Sequence, residues 1–195
     1  MTSSVFLPES VNEVVSFPPS TGSILQAIAA IAWQSQPPVA MPAASWLQER
    51  GSLTARLRRQ SGAFALHCLQ EAATADAGLR QVLLSVDGAA WIWGLTQIDA
   101  ALLQACPELS QLGQQPLGEW LFTHPELQRG ALEYADLATS AFWRAAMAAL
   151  VQPVGHALWA RRCRWQLDNG SLSVMELFLP AAPLYAGTEE QSEQE

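Results

Sequence analysis

The sequence predicts an α+β fold, a single antiparallel β-sheet with helices packed on one side. Three observations carry that prediction. Two turn signals, Asp87-Gly88 and Asp168-Asn169-Gly170, each stand between apolar runs of strand length. The helical stretches fall between hairpins instead of following every strand, which disfavours a parallel sheet. Of 195 residues, 50% are hydrophobic and only 14% charged, enough apolar side chain for one domain with a sizeable core.

The elements follow in order along the chain. Residues 1–42 hold half the prolines, with Pro18-Pro19 and Pro37-Pro38 as doublets. They read as a Pro/Ser-rich N-terminal extension around one short helix, 24–33, whose apolar face docks on the main body. Residues 43–185 have the composition of a packed domain. Within it, 45–59 is helical or turn-helix, with Trp46, Leu47, Leu53 and Leu57 as candidate buried positions. Residues 64–70 read as a strand, and 79–86 with 90–98 as a hairpin. Asp99 is placed to cap a helix that runs to Cys106 and stops at Pro107. A strand over 127–137 precedes an Ala-rich helix over 138–151. A second hairpin, 157–167 with 171–179, ends at Pro180 and Pro183, because proline cannot donate to a ladder. Residues 186–195 read as an acidic, disordered tail, which like charges are expected to keep extended.

Charge excludes several function classes. Ten basic residues stand against eighteen acidic ones, a formal net charge of −8. A protein that tracks nucleic-acid phosphates carries the opposite sign, so no nucleic acid is expected as a partner. Every basic residue is arginine, which rules out lysine Schiff bases, PLP attachment and a P-loop. Cys68, Cys106 and Cys163 are odd in number and far apart, fitting neither a disulfide framework nor a zinc pattern. His67, His124 and His156 are isolated, so no metal site is expected. No base precedes Arg50, which leaves no positive region for a signal peptide. The longest mostly apolar stretch, 24–33, is too short to cross a bilayer. A cytoplasmic monomer without membrane insertion is the expectation.

Strand alternation singles out two charges. Arg80 is in phase with Val82, Leu84 and Val86, and Glu176 with Leu172, Val174 and Phe178. Period-two geometry therefore puts an arginine and a glutamate on otherwise apolar faces. A buried charge without a partner costs several kcal/mol, so each needs one. Two readings are open. They pair with one another or reach water at strand ends, or they line an internal pocket where Arg80 awaits an anionic ligand. The basic run Arg161-Arg162-Cys163-Arg164 reads as a solvated or internally paired strand face.

Two longer motifs carry a family resemblance. One is Leu112-Gly113-Gln114-Gln115-Pro116-Leu117-Gly118 followed by Trp120-Leu121-Phe122-Thr123. The other is Leu158-Trp159-Ala160-Arg161-Arg162, then Glu176-Leu177-Phe178-Leu179-Pro180 and Pro183-Leu184-Tyr185. With Trp46-Leu47, Ser52-Leu53-Thr54 and Leu79-Arg80 in order, the chain resembles the chorismate pyruvate-lyases over about Trp46 to Tyr185. The resemblance implies a cofactor-independent enzyme of ubiquinone biosynthesis that converts chorismate to 4-hydroxybenzoate and pyruvate at an internal site. It places the ligand-binding positions on Leu53, Arg80, Leu117 and Glu176. Arg80 and backbone N–H groups near Leu53 and Leu117 would hold the ring carboxylate, and Glu176 the 4-hydroxyl. Arg80 and Glu176 would be the catalytic pair. The product retains both anchoring groups, so product inhibition is implied. Leu53 stands where the family usually has methionine, and Leu95 where relatives often carry arginine. The alternative is a non-catalytic, sensor-type domain of the same fold that binds a small aromatic carboxylate.

Overall fold

The computed structural model describes residues 21–37, 44–60, 63–74, 76–148, 150, 157–168 and 170–185. The chain runs α1 (Thr21–Ala29), α2 (Ala44–Leu47), α3 (Leu53–Gln60), β1 (Phe64–Ala73), β2 (Ala77–Val86) and β3 (Ala89–Asp99). It continues through α4 (Ala100–Ala105), a 3₁₀ turn (Pro107–Ser110), α5 (Leu117–Phe122), β4 (Gln128–Asp136) and α6 (Ala141–Ala148). The hairpin β5 (Trp159–Leu167) and β6 (Gly170–Phe178) follows, with a last 3₁₀ turn at Pro183–Tyr185. The six strands form one sheet in the order β1-β2-β3-β6-β5-β4, every neighbour antiparallel.

Local chemistry explains the hairpins and caps. Asp87 and Gly88 have φ of 50° and 81°, the left-handed pair that a two-residue hairpin turn requires. Asp168 has φ of 44° at the start of the second hairpin turn. The Asp99 carboxylate accepts the Leu102 N–H at 2.9 Å, which caps α4 as its position predicts. Ser140 Oγ accepts from the Trp143 N–H at 3.4 Å at the start of α6. The first helix begins and ends earlier than the 24–33 expected of it. Beyond Ala29 the chain turns extended, and Gln34 exchanges two backbone hydrogen bonds of 2.8 Å with Tyr134 on β4. Residues 1–20, 38–43 and 186–195 lie outside the described residues, as does much of the stretch after 148.

The antiparallel α+β class holds, but the helices, expected on one side, lie on both. Ile24 of α1 with Trp143 and Met147 of α6 packs on Leu83, Trp93 and Leu177. Leu47 of α2 with Leu53 and Leu57 of α3 packs on Val82, Leu84, Ile92 and Phe178 of the opposite face. The reason is visible in successive strand residues. Val82 and Leu83, Ile92 and Trp93, and Leu177 and Phe178 are all buried, so neither face of the central strands can be left to water. A third cluster, around Leu102, Leu117, Trp120 and Trp165, closes one end.

Gly170 is where that end is tightest. A Cβ there would stand 2.6 Å from the Leu102 nitrogen and 2.8 Å from its Cα. Those are backbone atoms of a capped helix and cannot swing aside as a side chain would. Gly170→Ala should therefore cost about 1–3 kcal/mol of stability, the range for overpacking. Urea denaturation measures it, and an unchanged midpoint would mean that α4 shifts freely.

Candidate active site

Strand register puts the two flagged charges on one face and in adjoining rows. Val82, Gly94, Glu176 and Arg161 are successive partners across β2, β3, β6 and β5. The next row runs Glu71, Arg80, Thr96, Val174 and Cys163. Arg80 and Glu176 are thus two strands apart, roughly 10 Å across the sheet at the usual strand spacing. Gly94, between Val82 and Glu176 in their row, has no side chain, and a Cβ there would stand 3.0 Å from Val82 Cγ2. Apart from Glu71, which stands behind Arg80, the residues of both rows line one cavity, together with Leu53, Leu117 and Arg129.

Arg80 is not paired with Glu176. Its side chain is 2% exposed, and its Nε lies 3.1 Å from Glu71 Oε1, at ion-pair distance but off the hydrogen-bond axis. Its Nη2 donates to the carbonyls of Gly113 and Gln115, both at 2.9 Å. Glu71 in turn accepts the N–H of Leu112 at 3.1 Å and that of Gly113 at 3.0 Å. Gly113 has φ of 53°, so the glycine of the 112–118 motif lets one turn present carbonyls to the arginine and N–H groups to the glutamate. Burial pulls the Arg80 guanidinium below its ordinary pKa, while Cys68 and Glu71 beside it act the other way.

Glu176 has its own partner. Its Oε2 accepts from Arg161 Nε at 2.5 Å, and the two residues are direct cross-strand neighbours. Arg161, 2% exposed, also donates through Nη1 to the carbonyls of Leu47 at 3.1 Å and Glu49 at 2.8 Å. Those carbonyls belong to the segment that leads into α3, so one guanidinium fixes both the glutamate below and the chain above. Of the two readings, neither is complete. Each charge has a partner, yet both line the cavity.

The roof consists of two helix starts. Ser52 Oγ caps α3 by accepting from the Ala55 N–H at 3.1 Å. Pro116, with φ of −64°, leads into α5. A Cβ on Gly118 would lie 3.2 Å from Ser52 Oγ, so the two starts touch. Leu53, Thr54, Leu117 and Gly118 face the cavity from this roof, at helix ends whose first N–H groups have no intrahelical acceptor. An ion pair between Arg58 and Glu119 joins α3 to α5 on the outside.

All four sequence-assigned positions, Leu53, Arg80, Leu117 and Glu176, therefore border one space. Leu95 does not, because its side chain is buried in the core under α1 and α6 on the opposite face. His67 and His124 do not line the cavity, and among the described residues no His, Cys, Asp and Glu side chains cluster as metal ligands. Sequence reasoning missed Glu71, Arg129 and Arg161. Alternation held the signal for Arg161, which is in phase with Trp159, Cys163 and Trp165, all buried.

Arg161→Met should destabilise the protein by about 3–5 kcal/mol, since it strips a cation from Glu176 and donors from buried carbonyls. Urea unfolding reads this directly. A loss below roughly 1 kcal/mol, the level of an exposed pair, would show that water reaches the site freely.

The chorismate lyase family model matches residues 27–189. A probable chorismate pyruvate-lyase of Shewanella amazonensis is 37% identical over 152 residues, covering 73% of this chain and 81% of the relative. A chorismate pyruvate-lyase of Sodalis glossinidius is 34% identical over 183 residues, covering 84% of this chain and 93% of the relative. A probable chorismate pyruvate-lyase of Photobacterium profundum is 34% identical over 157 residues, at 72% and 79% coverage. With a family match over most of its length and the paired charges in one roofed cavity, this chain belongs to the chorismate lyase family.

Proposed function

We propose that this protein removes pyruvate from chorismate to give 4-hydroxybenzoate, an early step of ubiquinone biosynthesis, and that it needs no cofactor. The observation that carries this reading is the placement of Arg80 and Glu176 on one cavity floor, two strands apart, under a roof of helix starts. A ring bearing a carboxylate at one end and a hydroxyl at the other suits that span. Arg80 and the N–H groups near Leu53 and Leu117 take the ring carboxylate. Glu176 accepts a hydrogen bond from the C4 hydroxyl. Its Oε2 is occupied by Arg161, and no described residue donates to Oε1.

The reaction balances without an oxidant or reductant. The C3–O bond breaks, the C4 hydrogen leaves as a proton, and the C4–H electron pair becomes the C3=C4 double bond. The departing enolpyruvate oxygen keeps the C–O pair, and the arm takes up the proton to become pyruvate. Aromatisation drives the step, so the protein's task is to hold the conformer in which the arm can leave. Positioning of this kind contributes several kcal/mol toward a barrier.

Purified protein mixed with chorismate should generate the absorbance of 4-hydroxybenzoate; none would refute the reading. Glu176→Gln should still fold, because the amide oxygen can accept from Arg161. Its turnover should fall roughly tenfold to a hundredfold for loss of one charged hydrogen bond. Retained turnover would remove Glu176 from the chemistry. The product keeps both anchoring groups, and the roof must open to release it. 4-Hydroxybenzoate should accordingly compete with chorismate and raise Tm, as a ligand of the native state does. If it does neither at concentrations well above those of chorismate that support turnover, the roofed site is not where product binds.

A further inference from the structure

Three arginines line the cavity, and their charges are met differently. Arg80 faces Glu71, and Arg161 faces Glu176. Arg129, on β4, has no carboxylate within ion-pair distance among the described residues. Its Nη1 donates to the Arg50 carbonyl, and its Nε contacts Cys163 Sγ at 3.4 Å. Its guanidinium stands 5.3 Å from the centre of the Trp165 ring. None of these partners is a carboxylate. The cavity therefore holds one cation that no described side chain neutralises, in a partly enclosed place where charge is poorly screened.

Its position matters as much as its charge. The sheet order places Arg80 on β2, Glu176 on β6 and Arg129 on β4, two strands farther on. A ring held between Arg80 and Glu176 carries its C3 substituent next to the C4 hydroxyl, at the Glu176 end. Arg129 is the cavity's remaining cation on that side. It also borders a polar groove with Arg50 and Tyr134, so the surroundings there are cationic as well.

We propose that Arg129 binds the carboxylate of the enolpyruvyl arm and so distinguishes substrate from product. This rests on the reading of chorismate as substrate. Chorismate is a dianion with one carboxylate on the ring and one on the arm, whereas 4-hydroxybenzoate keeps only the first. Arg80 serves both molecules; Arg129 serves the substrate and the departing pyruvate. The planar fork suits a carboxylate, and its bond to the Arg50 carbonyl ties the arm's side of the site to the segment before α3.

Steady-state kinetics on the full chain, with Arg129→Gln and Arg129→Lys beside the unaltered protein, test this. In Arg129→Gln, KM for chorismate should rise about tenfold or more, the loss of a charged hydrogen bond, while Ki for 4-hydroxybenzoate stays within about twofold. Arg129→Lys keeps the charge without the fork and should fall between the two. Arg129 is partly exposed, and melting curves confirm that each variant folds. If KM and Ki rise together, Arg129 merely tethers the roof and the assignment is wrong. If neither constant moves, it is equally wrong. Should the unaltered protein make no 4-hydroxybenzoate, the functional reading falls and takes this proposal with it, an outcome distinct from the other two.

Discussion

Arg80 and Arg161, each 2% exposed, cannot be hydrated and must be compensated where they lie. Each has met that demand with a glutamate directly opposite on the neighbouring strand and with backbone carbonyls from outside the sheet. Arg80 draws in the turn before α5, and Arg161 the segment before α3. The two halves of the roof are thus positioned by the cations in the floor. Such pairs contribute less net stability than their Coulomb energy suggests, because desolvation offsets most of it. Their effect is geometric. They fix which loops sit over the sheet and how each carboxylate is turned.

That arrangement explains why the 112–118 motif has its composition. Gly113 supplies a left-handed turn, Pro116 the entry angle of α5, and Gly118 the close approach to Ser52. None of the three touches the opposite core, yet each sets where the Leu117 backbone lies. Arg58 and Glu119 then join the two roof helices across the surface, where an ion pair is weak and salt-screened. The roof is thus anchored at its helix starts, and an exposed ion pair links its helices on the outside.

Much of this was legible from period and punctuation. The hairpins at Asp87-Gly88 and after Leu167 followed from turn chemistry, the α4 cap from Asp99, and the inward phase of Arg80 and of Glu176 from alternation, whereas their shared face needed the register of three strands. The partners were not legible. Glu71 lies just beyond the predicted end of its strand at 70, and pairing it with Arg80 needs the register of two strands. Arg161 sat within a basic run read as solvated or internally paired, and the second alternative holds for it, although only its phase pointed inward. The placement of helices on both faces also escaped, because a continuous apolar run such as 92–95 does not reveal which neighbour covers which side. The resemblance supplied Leu53 and Leu117, whose apolar side chains by themselves single out no site, and both border the cavity.

The bridge between Gln34 and Tyr134 has a consequence for behaviour at high concentration. β4 is the last strand of the sheet, nine residues long, and its outer side would otherwise offer free N–H and C=O groups to any extended chain. Gln34 occupies both groups of Tyr134, and Arg162 lies 4.5 Å from the centre of the Trp33 ring next to it. A foreign strand laid along β4 would have to displace that short stretch before it could form an unbroken ladder. The segment after α1 thus acts as a stopper against edge-to-edge aggregation, a service to solubility that is separate from anything it does for the cavity.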